Sequence, residues 1–250
     1  DVPYKQYRER STANIIAEIK SLENCGTKEF FLYDDLFNIT QERVMDFSQA
    51  LLQEGLHIRW SFRGRVAHIS ETMLRLAKKA GCYQVHLGVE TGDDAGLRHM
   101  NKKITIREIR TAFQIARKVG VRTVADFMIG LPHETNEASI RKNVEFLISL
   151  APDFAQINLF TPLPHTPYFD EGVAKGVCSY EAWNEFARNP RPDFRPSYWT
   201  EHMSAEKLIA MHRWAMRRFY FRFSYMVKRV CGLKTWHEFK RGIAGDRKST

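Results

Sequence analysis

The chain has 250 residues, is 44% hydrophobic and 27% charged, and carries a formal net charge of +9. Those values are those of an ordinary soluble globular protein, one domain or one domain with an extension. No apolar run approaches the ~18–20 residues a bilayer span needs, and the polar opening DVPYKQYRER is no signal peptide, so the expected location is cytoplasmic.

In chain order, residues 11–24 read as a helix with Ser11 or Thr12 as N-cap and Ile15, Ile16, Ile19 and Leu22 on one face. Gly26 closes it. A strand-like run, 29–35, ends in Asp34 and Asp35, and a helix over 40–54 follows, stopped by Gly55. The cycle then recurs: strand 58–62 with helix 70–80, strand 83–90 with helix 105–119, strand 121–130 with helix 136–150, and strand 154–160. Short apolar strands alternating with helices imply parallel strands joined by helical crossovers. The expected fold class is therefore α/β, a partial parallel (β/α) barrel of five strands that opens on a helix, as if one strand stood upstream. Polar residues gather after the strands: Asp34 and Asp35, Arg63 and Arg65, Glu90 and Thr91, His133 and Glu134, and His165. In a parallel barrel those are the strand ends where active sites are built.

Residues 171–250 break this rhythm, so the division is set at 1–170 for the barrel and 171–250 for a linker and a basic helical extension. The segment 189–199 holds three prolines and reads as irregular. Beyond it a single helix is expected over 204–230, with Leu208, Met211, Ala215, Phe219, Phe223, Met226 and Val230 as an apolar stripe. Twelve Lys/Arg against four acidic residues fall in 201–250, leaving the first 200 residues near neutral. The stripe is expected to pack against the barrel, with an anionic membrane surface as the rival. The four cysteines, Cys25, Cys82, Cys178 and Cys231, are too scattered to make a local metal-binding pair and read as isolated thiols.

Seven strings carry a resemblance: YRERS (7–11), FFLYDDLF (30–37), IRWSFRGRV (58–66), HLGVETG (86–92), MNKKIT (100–105), DFMIGLPHET (126–135) and LFTPLPHTPYF (159–169). In order and spacing they resemble the radical S-adenosylmethionine superfamily. Within it they are similar to the group whose members often carry an N-terminal cobalamin-binding domain, such as the anaerobic magnesium-protoporphyrin ester cyclases and hopanoid-biosynthesis radical enzymes. RRFYFRF (217–223) resembles the tails of that group.

The resemblance implies a six-stranded partial barrel, hence one strand upstream of those counted here. It implies a four-iron four-sulfur (4Fe-4S) cluster on a Cys-x3-Cys-x2-Cys loop, expected just off the N-terminus because none of the four cysteines present replaces it. The chain alone is thus expected to bind no cluster and to be inactive without it. The implied chemistry is reductive cleavage of S-adenosylmethionine to a 5′-deoxyadenosyl radical, for methylation, cyclisation or C–H functionalisation of a small-molecule or lipid-like substrate. An external electron donor and, in some members, cobalamin take part, and no DNA partner is expected.

For S-adenosylmethionine the resemblance points to Asp34 and Asp35 for the ammonium, Arg65 or Lys102 for the carboxylate, Glu90 for the ribose, and the main chain around Met128 and Gly130 for the adenine. His133 and His165 stand where the family commonly has Gly, at the ends of adjacent strands, and are expected to face one cavity as substrate contacts or as tolerated loop substitutions. Two alternatives stay open: a non-catalytic module that binds S-adenosylmethionine or a partner, and an RNA-modifying radical enzyme whose basic tail grips phosphates.

Overall fold

Ser11, Thr40, Ser70, Thr105 and Asn136 each end an extended segment and start a helix, because each side chain accepts a hydrogen bond from a main-chain N–H of the first turn. In the computed structural model, which describes residues 8–34 and 36–231 (the last four as backbone alone), these caps open α1 Thr12–Asn24, α2 Gln41–Gln53, α3 Glu71–Lys79, α5 Ile106–Val119 and α6 Glu137–Leu150. A short α4, Asp94–His99, capped by Asp93, lies between β3 Cys82–Glu90 and α5, in a stretch to which the sequence analysis assigns no element. The intervening strands are β1 Glu29–Leu32, β2 Arg59–Gly64, β3 Cys82–Glu90, β4 Arg122–Ile129 and β5 Phe154–Leu159.

All five strands are parallel and lie side by side in chain order, β1-β2-β3-β4-β5. The result is the expected half-barrel. Alternation along each strand sends Trp60, Phe62, Val85, Leu87, Val89, Phe127 and Ile129 outward into a fully buried layer under the helices. At the same time Arg63, Gln84, His86 and Asp126, which stay partly exposed, alternate with them on the other face. Gly81 is required where β3 begins: its φ is +95°, and a Cβ there would stand 2.0 Å from the carbonyl oxygen of Ile58.

Past β5 come α7 Pro167–Ala174 and α8 Tyr180–Arg188, then the proline-containing segment, α9 Ala205–Tyr220 and α10 Phe223–Cys231. The single helix expected over 204–230 is therefore two. Its first half behaves as expected, with Leu208, Met211, Ala215 and Phe219 buried against β5 and α6. The helix stops at Phe221, and the Arg222 guanidinium lies over the rings of Phe219 (4.4 Å) and Tyr225 (5.5 Å). Tyr225 turns back to donate to the carbonyl of Asp153 at 3.0 Å. Phe223 and Met226 consequently leave the stripe and are exposed, while the Val230 side chain lies outside the described residues. Among the described residues, no helix is long and apolar enough to cross a membrane.

Side chains of α9 also cover β5, which among the described residues pairs with β4 alone. The Tyr220 hydroxyl accepts from Ala155 N (3.2 Å) and donates to Ala155 O (2.6 Å), and His212 Nε2 lies 2.9 Å from Ile157 O. An unpaired strand edge is a template for unwanted pairing; here two side chains engage its polar groups.

Candidate functional site

The half-barrel's strand ends open on a cavity of about 580 Å³, lined by Arg63, Gly64 and Arg65 from the end of β2, His86, Gly88 and Glu90 from β3, Asn101–Ile104, and Asp126 from β4. Its geometry starts with an irregularity in β3. The β3–β4 register shifts between Gly88 and Glu90, and Glu90 takes φ 64°. A bulge of this kind re-aims a side chain, and a non-glycine residue in the left-handed region costs of order 1–3 kcal/mol. The strain turns the Glu90 carboxylate back over Gly88, where a Cβ would lie 2.7 Å from Oε1. Lys102 Nζ then donates to that oxygen at 2.6 Å. Lys102 stands between Asn101 and Lys103, both at φ 52°, so the loop that delivers it is strained as well.

Arg65 is fixed through its backbone. Its N–H donates to the Asn38 side-chain oxygen at 2.6 Å, and the Asn38 amide donates to its carbonyl at 3.0 Å. Asn38 is completely buried, and a Cβ at Gly64 would come within 2.6 Å of it. The loop after β1 is thereby clamped onto the loop after β2, and the Arg65 side chain is left exposed at the cavity rim. Sequence reasoning missed Asn38, whose role rests on a partner 27 residues away.

The structure thus brings Arg65, Glu90 and Lys102 together. Asp34 lies elsewhere, in a groove of about 820 Å³ between α1 and β1 that also takes in Phe31, Tyr33 and Arg43, with Arg43 4.0 Å from its carboxylate. That groove is larger, but three of the other candidates meet in the smaller one. Asp35 lies outside the described residues. Met128 packs with Leu131, Phe160 and Trp199, and Gly130 takes φ 76° beside Leu208. The turn after β4 is held by Glu134, which accepts from Gly130 N (2.6 Å), Leu131 N (3.0 Å) and Asn143 Nδ2 (2.7 Å). Burial pushes the Glu134 carboxyl above the usual range, against those three donors.

His133 and His165 line neither of the two cavities described above. His133 packs on Gly96 of α4, where a Cβ would lie 2.4 Å from its ring, and its Nε2 is 3.2 Å from the Thr91 hydroxyl. Burial holds it below the usual histidine range. His165 sits exposed on the loop after β5 at φ 64°. Neither lines the 580 Å³ cavity. His133 is taken instead into the packing of α4, against Gly96.

Asp126 and His86 open the motifs DFMIGLPHET and HLGVETG, but the resemblance assigns neither a role. The available signal was polar residues at alternating positions within otherwise apolar strands. Burial raises the Asp126 carboxyl to about 6, opposed by Arg63 and reinforced by Glu90. Burial, with Arg63, holds His86 below the usual histidine range.

The cluster was tested against the thiols present. Cys82 is buried, and burial pushes its thiol up to about 12. Cys178 is buried too, Cys25 is exposed at the end of α1, and the side chain of Cys231 lies outside the described residues. Among the described residues no group of three His, Cys, Asp or Glu side chains could hold a metal ion. These cysteines do not fit a four-iron cluster, whose thiolates must be held together.

Comparison with known proteins agrees with this layout. An uncharacterized methyltransferase of Pyrococcus horikoshii is 29% identical over 227 residues, 90% of this chain and 48% of its own length. The anaerobic magnesium-protoporphyrin IX monomethyl ester cyclase of Rubrivivax gelatinosus is 30% identical over 194 residues, 76% of this chain and 35% of its own. The chain spans half or less of these curated relatives. Among solved structures, the cobalamin-dependent S-adenosylmethionine radical enzyme OxsB superposes with a TM-score of 0.66 at 15% identity, over 96% of this chain and 41% of that one; at that identity the likeness speaks for the fold alone. The model of the Radical SAM superfamily matches residues 2–147, more than half of the sequence, and the chain belongs to that superfamily.

Proposed function

We propose that this half-barrel holds S-adenosylmethionine in the 580 Å³ cavity, within a radical enzyme that modifies an organic substrate. The observation that carries the placement is Glu90: a carboxylate on a strained bulge, anchored by Lys102 and turned into the cavity. Strained backbone persists where the surroundings over-determine it, and functional sites are where it concentrates. A carboxylate so held accepts hydrogen bonds from a ribose diol. Lys102 and Arg65 supply the cations for the methionyl carboxylate, Arg65 as a fork that can engage both oxygens. Met128 and Gly130 border the adenine. Asp34, one groove away, and Asp35 are assigned the ammonium side.

Bound together, a reduced iron–sulfur cluster and S-adenosylmethionine supply the radical chemistry; this chain's own residues bind, orient and exclude water. The thiolates for the cluster are not among the four cysteines of the sequence and have to come from outside residues 1–250. The likeness to the cobalamin-dependent radical enzyme OxsB supports a cobalamin-linked member of the superfamily. An N-terminal cobalamin-binding domain, an external electron donor and a small-molecule or lipid-like substrate belong to the same proposal.

The test is formation of 5′-deoxyadenosine by the anaerobically prepared, cluster-bearing enzyme under a strong reductant. Glu90→Gln removes the charge but keeps the shape. It is expected to lower the rate at subsaturating S-adenosylmethionine by about 10- to 100-fold, since hydrogen bonds to charged groups contribute ~1.5–3 kcal/mol. A variant as fast as the wild type would remove Glu90 from the cofactor site.

A further inference from the structure

Deeper in the same cavity lie three side chains that the cofactor reading leaves unused. Arg63 and His86 are direct Cα partners across β2 and β3; Asp126 pairs with Gly88 across β3 and β4, one pleat further on. Glu90 lies beyond that again, so His86 and Glu90 are separated by at most about 13 Å along the strand, at roughly 3.3 Å per residue. Arg63 Nε, His86 Nδ1 and Asp126 Oδ1 are buried atoms with no hydrogen-bond partner among the described residues. All three side chains line the cavity. Leaving a buried polar group unmet is costly, and three on adjacent strands facing one space is a pattern.

Their chemistry is complementary in a definite sense. Arg63 Nε can only donate. The Gln84 amide donates to His86 Nε2 at 3.0 Å, which leaves the ring proton on Nδ1, so Nδ1 donates too. Asp126 Oδ1 accepts. Two rings of the neighbouring groove adjoin them: the Arg63 guanidinium lies 5.1 Å from the Tyr33 ring centroid, and the rings of Phe31 and His86 are 5.0 Å apart. Resting on the assignment of S-adenosylmethionine to Glu90 and Lys102, we infer that Arg63, His86 and Asp126 form a substrate-holding subsite. It takes the end of a substrate that places a carboxylate or carbonyl beside an N–H donor, as an amino acid or its amide does. Arg63 and His86 donate to the carbonyl oxygens and Asp126 accepts the N–H, while Phe31 and Tyr33 border an apolar body.

The methionyl end of S-adenosylmethionine has the same chemistry, so the experiment must separate the two sources. Calorimetric titration of S-adenosylhomocysteine and of 5′-methylthioadenosine, which lacks the amino-acid end, is carried out on the cluster-bearing enzyme and on its Arg63→Gln, His86→Gln and Asp126→Asn variants. Saturation-transfer NMR with L-phenylalanine and L-phenylalaninamide follows, with S-adenosylhomocysteine saturating and ethylbenzene as a control without polar groups. Thermal melts confirm that at least two of the three near-isosteric variants are folded. The expected result is S-adenosylhomocysteine affinity within about twofold of wild type in every variant. Transfer to L-phenylalanine or its amide should exceed transfer to ethylbenzene in the wild type and fall at least fivefold in the variants.

A tenfold loss of S-adenosylhomocysteine affinity with 5′-methylthioadenosine unchanged would assign the three residues to the cofactor and overturn the inference. So would equal transfer to ethylbenzene, no transfer to either amino-acid probe in the wild type, or undiminished transfer in the variants. Failure of S-adenosylhomocysteine to bind the wild type would instead overturn the cofactor assignment, and the inference with it.

Discussion

Asp126 shows how a single residue couples the site to stability. Its carboxyl stands at about 6 in the fold, above the unfolded value of 3.8, chiefly because burial disfavours the charge. A raised carboxyl favours the folded state most below pH 4, where it is protonated in both states. That contribution is lost as pH rises from 4 through about 6. Asp126→Asn removes the slope. Urea unfolding of the two proteins is expected to show the variant gaining on the wild type by on the order of 1 kcal/mol between pH 4.5 and 7.5, a figure reduced for the residue's partial exposure. A constant difference across that range would show that the carboxyl is not perturbed.

At this scale the sequence was partly legible. Arg65, Glu90 and Lys102, to which the family resemblance points, meet in one cavity, because the motifs that carry them end successive elements. The left-handed backbone at Glu90 and the Asn38 clamp were not legible, since each depends on partners brought together by the fold rather than on neighbours in the chain.

Among the elements, α9 is the most informative. Its stripe is legible as far as Phe219, whose side chain is fully buried, because helical spacing reports the buried face directly. The break at Phe221 was not legible: Arg222 and Tyr225 favour it through contacts with Phe219 and with Asp153 ahead of β5, and no proline or glycine marks the place. Phe219→Ala is expected to destabilise the protein by about 3–5 kcal/mol, the range for large-to-small core changes, as measured by denaturant unfolding. Tyr220→Phe removes only the hydroxyl that bridges both polar groups of Ala155, and about 1–2 kcal/mol is expected. If Phe219→Ala cost less than 1 kcal/mol, α9 would not be part of the barrel's core. The same packing takes Leu208, Met211, Ala215 and Phe219 away from a membrane surface, while Phe223 and Met226 stay exposed; Arg218, paired with Glu145 at 2.7 Å, and Arg141, over the Trp214 ring, tie the basic side of α9 to the barrel.

For the molecule as a whole, the parallel strand order was legible because strand and helix alternate with short connections and the N-caps are explicit. The fold determines where chemistry can occur: five parallel strands aim their C-terminal ends at one side, and the loops there carry the strained backbone of Glu90, Asn101 and Lys103. The apolar outer faces are spent on the helices, which leaves the polar inner face for ligands. The central claim is that S-adenosylmethionine sits against Glu90 in this cavity. Its most direct test is calorimetric titration of S-adenosylhomocysteine into the cluster-bearing wild type and Glu90→Gln enzymes at pH 7.5. One site per chain is expected, with affinity about 10- to 100-fold weaker in the variant; equal affinity in both, or no binding to the wild type, would contradict it.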